Sequence, residues 1–451
     1  MCPSCFFDSV GTEGKPASTG SKQVQMINRL KTTVKGSLRV AQTTQVLAKT
    51  GVSWLLGHRP PPARLLRQTF EQLGTTYVKL GQFIASSPSL FPETFVEEFQ
   101  HCLDNTTPLP FPIIEKVLRE ELHKPLHMIF SEIDPTPLAS ASIAQVHAAR
   151  LVSGEPVVIK VQKPGVDNIL LTDLNFLYVG AKVLEKIAPH LSMASLSGVV
   201  EEIQKSMLAE CDFYQEAQNI ADFNDFLAET GNTEVVAPMV YKEASSLRVL
   251  TMERFYGVPF TNLEQVKQFS PDPQYSLITA MNTWFSSLLL GKAFHADVHA
   301  GNLMVLQDGR IGFIDFGIVG RVRSQTWAAV SHFIQAITDN DYLGMAKAMV
   351  GIGVTQETVN IDALADDIQN LYAAMDNLNQ PSSFSGSLPT HDNSINKVMI
   401  NLVGIGKRYG IHFPREFALL LKQILYFDRY VQLLAPDANL YSDHRLVMLP
   451  A

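Results

Sequence analysis

The sequence predicts an α+β fold of two lobes, in which a helical extension precedes a small strand-rich lobe and a large helical lobe. Two observations predict this class. Runs with strand character are concentrated between about Ala141 and Glu253, whereas helical periodicity dominates on both sides of them. The 451 residues, 46% hydrophobic and 18% charged, also suffice to fill the cores of two lobes and an extension.

The first 60 residues are predicted to form a separate basic segment. Met1–Arg67 contains ten Lys or Arg and two acidic residues, so this stretch carries +8 and the rest of the −8 chain carries −16. Residues 1–20, rich in Gly, Ser and Pro, are expected to be disordered. A helix from about Val24 to Trp54 would place Lys31, Lys35 and Arg39 beside an apolar stripe. Such a helix is expected to contact an anionic membrane surface, with a solvated arm as the alternative.

Residues 61–135 are predicted to be a helical extension, with helical patterns over 63–87, 93–102 and 112–122. Residues 136–256 are predicted to be the small lobe: a hairpin of 142–151 and 156–161, a helical insertion from Gly165 to Phe226, and two further strands. Residues 257–451 are predicted to be the helical lobe, interrupted by a polar loop at 377–393.

Neither the apolar segments nor the cysteines indicate a secreted or membrane-spanning protein. Tyr275–Gly291 lacks charges but contains six Ser, Thr or Asn, which is typical of a buried helix rather than a membrane span. Cys2 and Cys5 form an isolated C-x-x-C without the four ligands of a zinc site, and Cys102 and Cys211 are expected to be thiols in a reducing compartment. No secretory signal is visible, so we expect a cytoplasmic or organellar-matrix protein that associates peripherally with a membrane.

Two motifs in the large lobe predict phosphoryl-transfer chemistry. Asp297 lies in His295-Ala-Asp-Val-His299-Ala-Gly-Asn302, and Asp315 begins Asp-Phe-Gly317 after a short apolar strand. The five-residue spacing from Asp297 to Asn302 is that of the protein-kinase catalytic loop, and an Asp-Phe-Gly follows that loop in kinases too. Asp297 would orient the acceptor, while Asn302 and Asp315 would bind Mg²⁺.

The small lobe supplies the expected cation and the nucleotide contacts. Lys160 ends Val157-Val-Ile-Lys, the pattern of the strand whose lysine touches nucleotide phosphates. Its carboxylate partner could be Glu210, Asp212 or Glu216, and Glu210 and Glu216 would project from different faces of one helix. The strand that ends at Glu253 leads through Phe255 to Gly257, where an interlobe hinge would hold an adenine ring.

The glycine-rich phosphate loop of kinases is replaced by Ala139-Ser140-Ala141-Ser142. Small side chains let the backbone approach phosphate, but alanine and serine do not reach positive φ freely, so we expect a cover that is shaped differently and moves less.

These features together resemble the UbiB (AarF-related) family of atypical kinases. The family pattern includes K-x-G-Q in the extension, here Lys79-Leu-Gly81-Gln82, and E-x-D followed by a glutamate, here Glu210-Cys-Asp212 and Glu216. The alanine-rich loop, H-x-D-x-H-x-G-N and Asp-Phe-Gly complete the match, which extends from about Ala63 to at least Arg323.

The resemblance implies binding of ATP with Mg²⁺, and ATPase or small-molecule kinase activity tied to isoprenoid-quinone or prenyl-lipid metabolism. It implies that Lys160 pairs with Glu216, that Glu210 and Asp212 face the K-x-G-Q helix, and that the extension occludes a protein substrate. Some relatives carry C-terminal transmembrane helices, which this sequence is not expected to form.

The expected function is therefore an ATP-dependent atypical kinase or ATPase with a small-molecule or lipid substrate and no nucleic-acid partner. A true lipid or prenyl-alcohol kinase, and a non-catalytic scaffold that uses ATP as a conformational ligand, stay open as alternatives. A homodimer and an assembly with quinone-biosynthesis proteins stay open as partner arrangements.

Overall fold

The computed structural model describes residues 41–46, 48–57, 60–85, 93–99, 101, 107–187, 196–260, 262–290, 293–299, 301–321, 324–355, 358–378 and 395–434. Residues 1–20, the basic positions Lys31, Lys35 and Arg39, and Cys2, Cys5 and Cys102 lie outside these ranges, as does most of the predicted polar loop. Of the predicted N-terminal helix, residues 41–46 and 48–55 are described, and they are helical.

The extension begins with a helix that starts at a proline, whose missing N–H costs nothing in a first helical turn. Gly74, at φ +91°, separates it from the next helix. The extension helices are α1 (Pro62–Leu73), α2 (Thr75–Ala85) and α3 (Glu93–Phe99). Their apolar faces share one core, built around Phe70, Tyr77, Leu80 and Phe99.

The small lobe is a four-stranded antiparallel sheet, in the order β1-β2-β3-β5, with helices against it. Its elements are α4 (Phe111–Glu121), α5 (Leu126–Ile129), β1 (Phe130–Ser140), β2 (Ala144–Leu151), β3 (Pro156–Gln162), α6 (Val166–Ile187), α7 (Leu196–Ala209), α8 (Phe213–Glu229), β4 (Val235–Val236) and β5 (Val249–Glu253). Helices α6, α7 and α8 cover the predicted insertion from Gly165 to Phe226, and α6 and α7 pack on the extension core through Leu170, Leu174 and Ile203.

The placement of the first strand near Ala141 was wrong. Strand β1 begins at Phe130, before the predicted start of strand character, and contains Pro135 and Pro137. Proline is tolerated here because β1 lies at the sheet edge, where it pairs only with β2 and with register shifts between residues 130 and 139.

The large lobe is mostly helical and carries short strands, three of which form a four-stranded sheet with β4. Its elements are β6 (Gly257–Pro259), α9 (Leu263–Phe269), α10 (Pro273–Leu290), β7 (Phe294–His295), β8 (Leu303–Leu306), β9 (Ile311–Phe313), β10 (Val319–Gly320), α11 (Ser324–Thr338), α12 (Tyr342–Ile352), β11 (Val354–Thr355), α13 (Ile361–Leu378), α14 (Ile395–Arg408), β12 (Ile411–His412) and α15 (Arg415–Leu434). The order of elements confirms the two-lobed, kinase-like α+β fold.

Two cores organise this lobe. One surrounds the fully buried Trp284 of α10 and includes Phe313, Phe316 and the apolar face of α15. The other lies between α11, α12, α13 and α14. The uncharged stretch that includes α10 is thus a core helix, and none of the described helices is long and apolar enough to cross a membrane.

Candidate active site

Lys160 lies at the centre of a cluster of carboxylates between the lobes. In β3 it stands opposite Leu250 of β5, and its Nζ donates to both oxygens of Glu216, at 2.8 and 3.0 Å. The same Nζ donates to Asp315 Oδ1 at 2.9 Å. The structure therefore brings together three residues predicted from the sequence. Lys160 is 56 positions from Glu216 and 155 positions from Asp315 in the chain.

The charges in this cluster depend on one another. Burial lowers the pKa of Lys160, but Asp315 and Glu216 outweigh burial and the net pKa is raised. Burial raises the pKa of Glu216 to about 7, against the opposing effect of Lys160. Partial desolvation by the surrounding protein would raise the pKa of Asp315, yet Lys160 and Lys79 reverse this and the net pKa is lowered. Asp315 thus stays a carboxylate and Lys160 stays a cation across the physiological range.

Glu216 is presented by α8, whose start is fixed by Asp212. The Asp212 carboxylate accepts the amides of Tyr214 and Gln215 at 3.0 and 3.2 Å, a helix N-cap. The role of Asp212 therefore differs from the expected contact with the K-x-G-Q helix. Glu210 lies in the turn before this cap, so Glu210 and Glu216 do not share one helix as the sequence reasoning assumed.

Asp315 occupies a backbone conformation that few residues adopt. Its φ is +59°, in the left-handed region, and Asn340 is the other non-glycine residue at positive φ in the described part of the chain. Phe316, fully buried, holds the motif by packing on His295 and Phe223, with ring centroids 4.7 and 5.1 Å away. Asn219 of α8 donates to the Phe316 carbonyl at 2.9 Å, a contact that the sequence reasoning missed.

His295 joins the catalytic loop to the segment before Asp315. Its Nδ1 accepts the Asp297 amide at 3.2 Å and its Nε2 lies 3.1 Å from the Ile314 carbonyl. These partners require a neutral ring protonated at Nε2, in agreement with burial, which lowers the pKa of His295. The side chain is thus a structural brace that keeps the two loops at a fixed distance.

Asp297 has a basic side chain near each of its oxygens. Lys422 Nζ of α15 donates to Oδ1 at 2.8 Å, and His299 Nε2 lies 3.6 Å from Oδ2. Burial raises the pKa of this carboxyl, but Lys422 and His299 outweigh burial and the net pKa is lowered. Asp297 is consequently an ionised group that can orient an acceptor rather than a strong base.

Helix α15 also holds the backbone of the catalytic loop, which the sequence reasoning missed. The fully buried Gln423 accepts the Val298 amide at 2.8 Å and donates to the Ala296 carbonyl at 2.7 Å. The Tyr430 hydroxyl donates to the Val298 carbonyl at 2.8 Å. The sequence offers one signal of this role. Gln423 is a polar residue on an otherwise apolar helix face, one helical turn before Phe427.

The oxygen atoms that remain fit a magnesium ion. Asn302 Nδ2 donates to the Asp297 carbonyl at 2.9 Å, and its amide oxygen has no partner among the described residues. The Asp315 side chain is 48% exposed, and Lys160 engages its Oδ1. Mg²⁺ is commonly held by one or two protein oxygens together with substrate phosphates and water. Asn302 and Asp315 can supply such a pair.

The alanine-rich cover is tied to the helical extension. It forms the turn between β1 and β2, where the Ala141 amide donates to the Ala144 carbonyl at 2.9 Å, and no residue from 139 to 143 has positive φ. Ile143 is buried with Tyr77 and Leu80 of α2. In α2, Lys79 forms an ion pair of 2.5 Å with Glu210, Gly81 is buried, and Gln82 is half-buried. Ser140 and Ser142 flank the tip of the turn.

The Glu210 carboxylate interacts electrostatically with the carboxylates of the same site. Burial raises its pKa, Lys79 opposes this, and the carboxylates of Asp297 and Asp315 raise it further. The pair of Lys79 and Glu210 is therefore part of the electrostatics of the catalytic groups. The neighbouring Cys211 has a thiol whose pKa burial raises to about 12, so it is not a reactive nucleophile.

The predicted hinge connects β5 to β6. The Glu253 amide donates to the Met239 carbonyl at 2.8 Å, and its carboxylate accepts the Met239 amide at 3.2 Å. The Phe255 ring lies over Gly312, where a β-carbon would approach within 3.0 Å of the ring. Glu253 is thus engaged within the small lobe, and Phe255 contacts the strand that leads to Asp315.

A family comparison agrees with this geometry. Residues 101–349, more than half of the chain, match the model of the ABC1 atypical kinase-like domain. The chain belongs to this family. The matched range contains Lys160, Glu216, Asp297, Asn302 and Asp315, whereas α1, α2, α3 and α15 lie outside it.

Individual relatives give the same result. An uncharacterized chloroplastic aarF domain-containing protein kinase of Arabidopsis thaliana is 46% identical over 91% of this chain and 82% of its own. A probable protein kinase UbiB of Pseudomonas fluorescens is 29% identical over 84% of this chain and 69% of its own. The resemblance to the UbiB family is therefore confirmed.

A solved structure supports the fold alone. A Mycobacterium tuberculosis protein in complex with erythromycin superposes with a TM-score of 0.53 at 22% identity, over 92% of this chain and 94% of its own.

Proposed function

We propose that this ABC1-family protein is an ATP-binding, Mg²⁺-dependent atypical kinase or ATPase that acts in isoprenoid-quinone or prenyl-lipid metabolism. The observation that carries the proposal is the contact of Lys160 with both Glu216 and Asp315. In protein kinases the lysine–glutamate ion pair and the aspartate of Asp-Phe-Gly must both be in place for phosphoryl transfer.

Each group has a distinct task in the proposed reaction. Lys160 would neutralise nucleotide phosphates while Glu216 fixes its position. Asn302 and Asp315 would hold Mg²⁺, which supplies charge neutralisation at the transferring phosphoryl group when bound. Asp297 would orient the acceptor, either water or a small-molecule hydroxyl. Positioning and electrostatics account for most catalysis in phosphoryl transfer, so a weakly basic Asp297 is sufficient.

The acceptor is proposed to be small because the extension lies over the site. Lys79 pairs with Glu210, and Ile143 of the cover is buried against α2. A folded protein substrate would have to displace both contacts. A small molecule, a prenyl lipid or water needs less room.

The substrate class and the setting are supported by relatives and by exposed residues. A relative named UbiB supports a quinone-related substrate, and a relative named chloroplastic supports an organellar setting. Trp54, Leu55 and Leu56 expose 43, 72 and 83% of their surface at the end of the N-terminal helical stretch, beside a basic segment. This combination supports peripheral contact with an anionic membrane. Self-association or assembly with quinone-biosynthesis proteins is the proposed partner arrangement.

The test is binding and turnover of Mg-ATP by the full chain, with and without vesicles of neutral and anionic phospholipid. Wild type is expected to bind Mg-ATP and release phosphate, and Asp315→Asn is expected to lose turnover. As a matched control, Asp339→Asn changes an exposed carboxylate that accepts from Gln335 on α11. Failure of wild type to bind Mg-ATP would overturn the proposal.

A nucleotide-gated scaffold is the second candidate, and one observation favours it. The cover has no residue at positive φ and is anchored through Ile143, so it is less free to move than a glycine-rich loop. A scaffold would be stabilised by Mg-ATP but would release no phosphate with any vesicle composition. A phosphorylated lipid product would instead identify a true lipid kinase.

A further inference from the structure

Lys422 is a buried cation at the catalytic carboxylate, and it comes from a helix that the family model does not cover. Its side chain is 14% exposed, and its Nζ donates to Asp297 Oδ1 at 2.8 Å. The two residues are 125 positions apart. Burying an ammonium group costs free energy unless it is paired, so this contact is part of how α15 docks on the catalytic loop.

The rest of α15 keeps Lys422 in place. Gln423 binds the loop backbone on both sides of Asp297, at the Ala296 carbonyl and the Val298 amide. The Lys422 Nζ also lies 5.5 Å from the centre of the Tyr426 ring, within reach of a cation–π interaction. Helix α15 therefore holds Lys422 at one position beside the loop.

The two carboxylate oxygens of Asp297 have different contacts. Oδ1 accepts a short hydrogen bond from Lys422, whereas Oδ2 is 3.6 Å from His299 Nε2, beyond hydrogen-bond length. A carboxylate that is held at one oxygen cannot rotate freely about its last bond. The oxygen beside His299 is thus the one available to an acceptor.

We propose that Lys422 is a positioning residue for Asp297: its hydrogen bond to Oδ1 keeps the carboxylate turned so that Oδ2 is the oxygen that meets the acceptor. The inference rests on the proposed phosphoryl-transfer function and deepens it. It assigns the last helix a part in the site, since the motif of the catalytic loop contains no lysine that could take this role.

The charges around the pair are few and can be named. Asp297 faces Lys422, His299 and His295. Lys422 faces Asp297, Tyr426 and, repulsively, Lys79 of the extension. Removing the Lys422 ammonium removes the hydrogen bond that holds Oδ1. The carboxylate can then turn about its last bond, so neither oxygen is kept in place for the acceptor.

The experiment compares Lys422→Met and Lys422→Arg with wild type in the full chain. The readout is the separate effect on kcat and on KM for Mg-ATP turnover at neutral pH. Lys422→Met is expected to lower kcat at least about tenfold with KM for ATP nearly unchanged, because misplacing a catalytic group costs rate rather than nucleotide binding. Lys422→Arg, which keeps a donor to Oδ1, should restore most of kcat.

Lys347→Met is the control for the loss of one positive charge, because Lys347 is an exposed residue of α12. It should match wild type throughout. A Lys422→Met variant whose kcat stays at the wild-type value would overturn the inference and leave the proposed function intact. No binding or turnover of Mg-ATP by wild type would overturn the proposed function, and the inference with it.

A second measurement covers variants that lose all turnover. Denaturation midpoints of wild type, Lys422→Met, Asp297→Asn and the double variant form a cycle that isolates the ion pair. The coupling is expected at neutral pH, because the two side chains are in direct contact. Additive midpoints at neutral pH would contradict the proposed pairing.

Discussion

Gln423→Met tests the conclusion that the last helix builds the catalytic loop. Gln423 is fully buried, and methionine matches its length without hydrogen-bonding groups. The change leaves the Val298 amide and the Ala296 carbonyl without their present partner. A buried polar group that loses its partner costs about 1–3 kcal/mol, so the free energy of unfolding should fall by about 2–5 kcal/mol.

The loop should also move, since Asp297 lies between the two released backbone groups. A displacement of about 1 Å at a catalytic group can cost about a hundredfold in rate, and we expect a decrease of at least tenfold in Mg-ATP turnover. Stability is measured by urea denaturation followed by circular dichroism, and turnover by phosphate release.

Gln335→Met on α11 is the matched control, because Gln335 is exposed and its side chain donates to Asp339, just after the end of the same helix. Its unfolding free energy should stay within about 0.5 kcal/mol of wild type. If Gln423→Met likewise left the unfolding free energy and the turnover unchanged, the hydrogen bonds to Gln423 would not hold the loop, and the reasoning would be refuted.

Three further predictions concern other parts of the site. Lys160→Met should lower turnover by at least about a hundredfold while a folded protein is still recovered, as measured by phosphate release and circular dichroism; near-normal turnover would contradict the role of Lys160. Phe316→Ala should reduce the free energy of unfolding by about 3–5 kcal/mol, because it empties a fully buried site, and a loss below about 1 kcal/mol in urea denaturation would show that the motif is not packed as described. Asp297 has a lowered pKa in the folded protein, so its contribution to stability is present above the unfolded value of about 3.9 and is lost as pH falls through the folded value. Wild type should therefore lose more stability than Asp297→Asn between about pH 5 and pH 2 in denaturation experiments, and parallel curves would contradict this.

Local patterns were sufficient for much of the fold and for the motifs of the site. The hairpin of β2 and β3, the core helix α10, and the turn between β8 and β9 each follow from a short window of sequence. Strand β1 did not, because Pro135 and Pro137 are breakers in most strands, and only its place at the sheet edge makes them acceptable. Asp212 was likewise read as part of a motif, although its carboxylate caps a helix.

The sequence alone determined the family, the two-lobed fold class and the catalytic loop, since the spacing from Asp297 to Asn302 and the Asp-Phe-Gly motif are contiguous signals. The residues alone left open which carboxylate pairs with Lys160; the family resemblance implied Glu216, and the tertiary structure shows that pair. Only the tertiary structure decided what holds Asp297. Glu210 and Glu216 were both available in sequence, and the cap at Asp212 separates them, so that one reaches Lys79 and the other Lys160. Lys422 and Gln423 have no motif, because their role depends on the docking of α15 against a loop 125 residues earlier in the chain. Contacts of that range are set by the packing of whole elements, which no local window of sequence encodes.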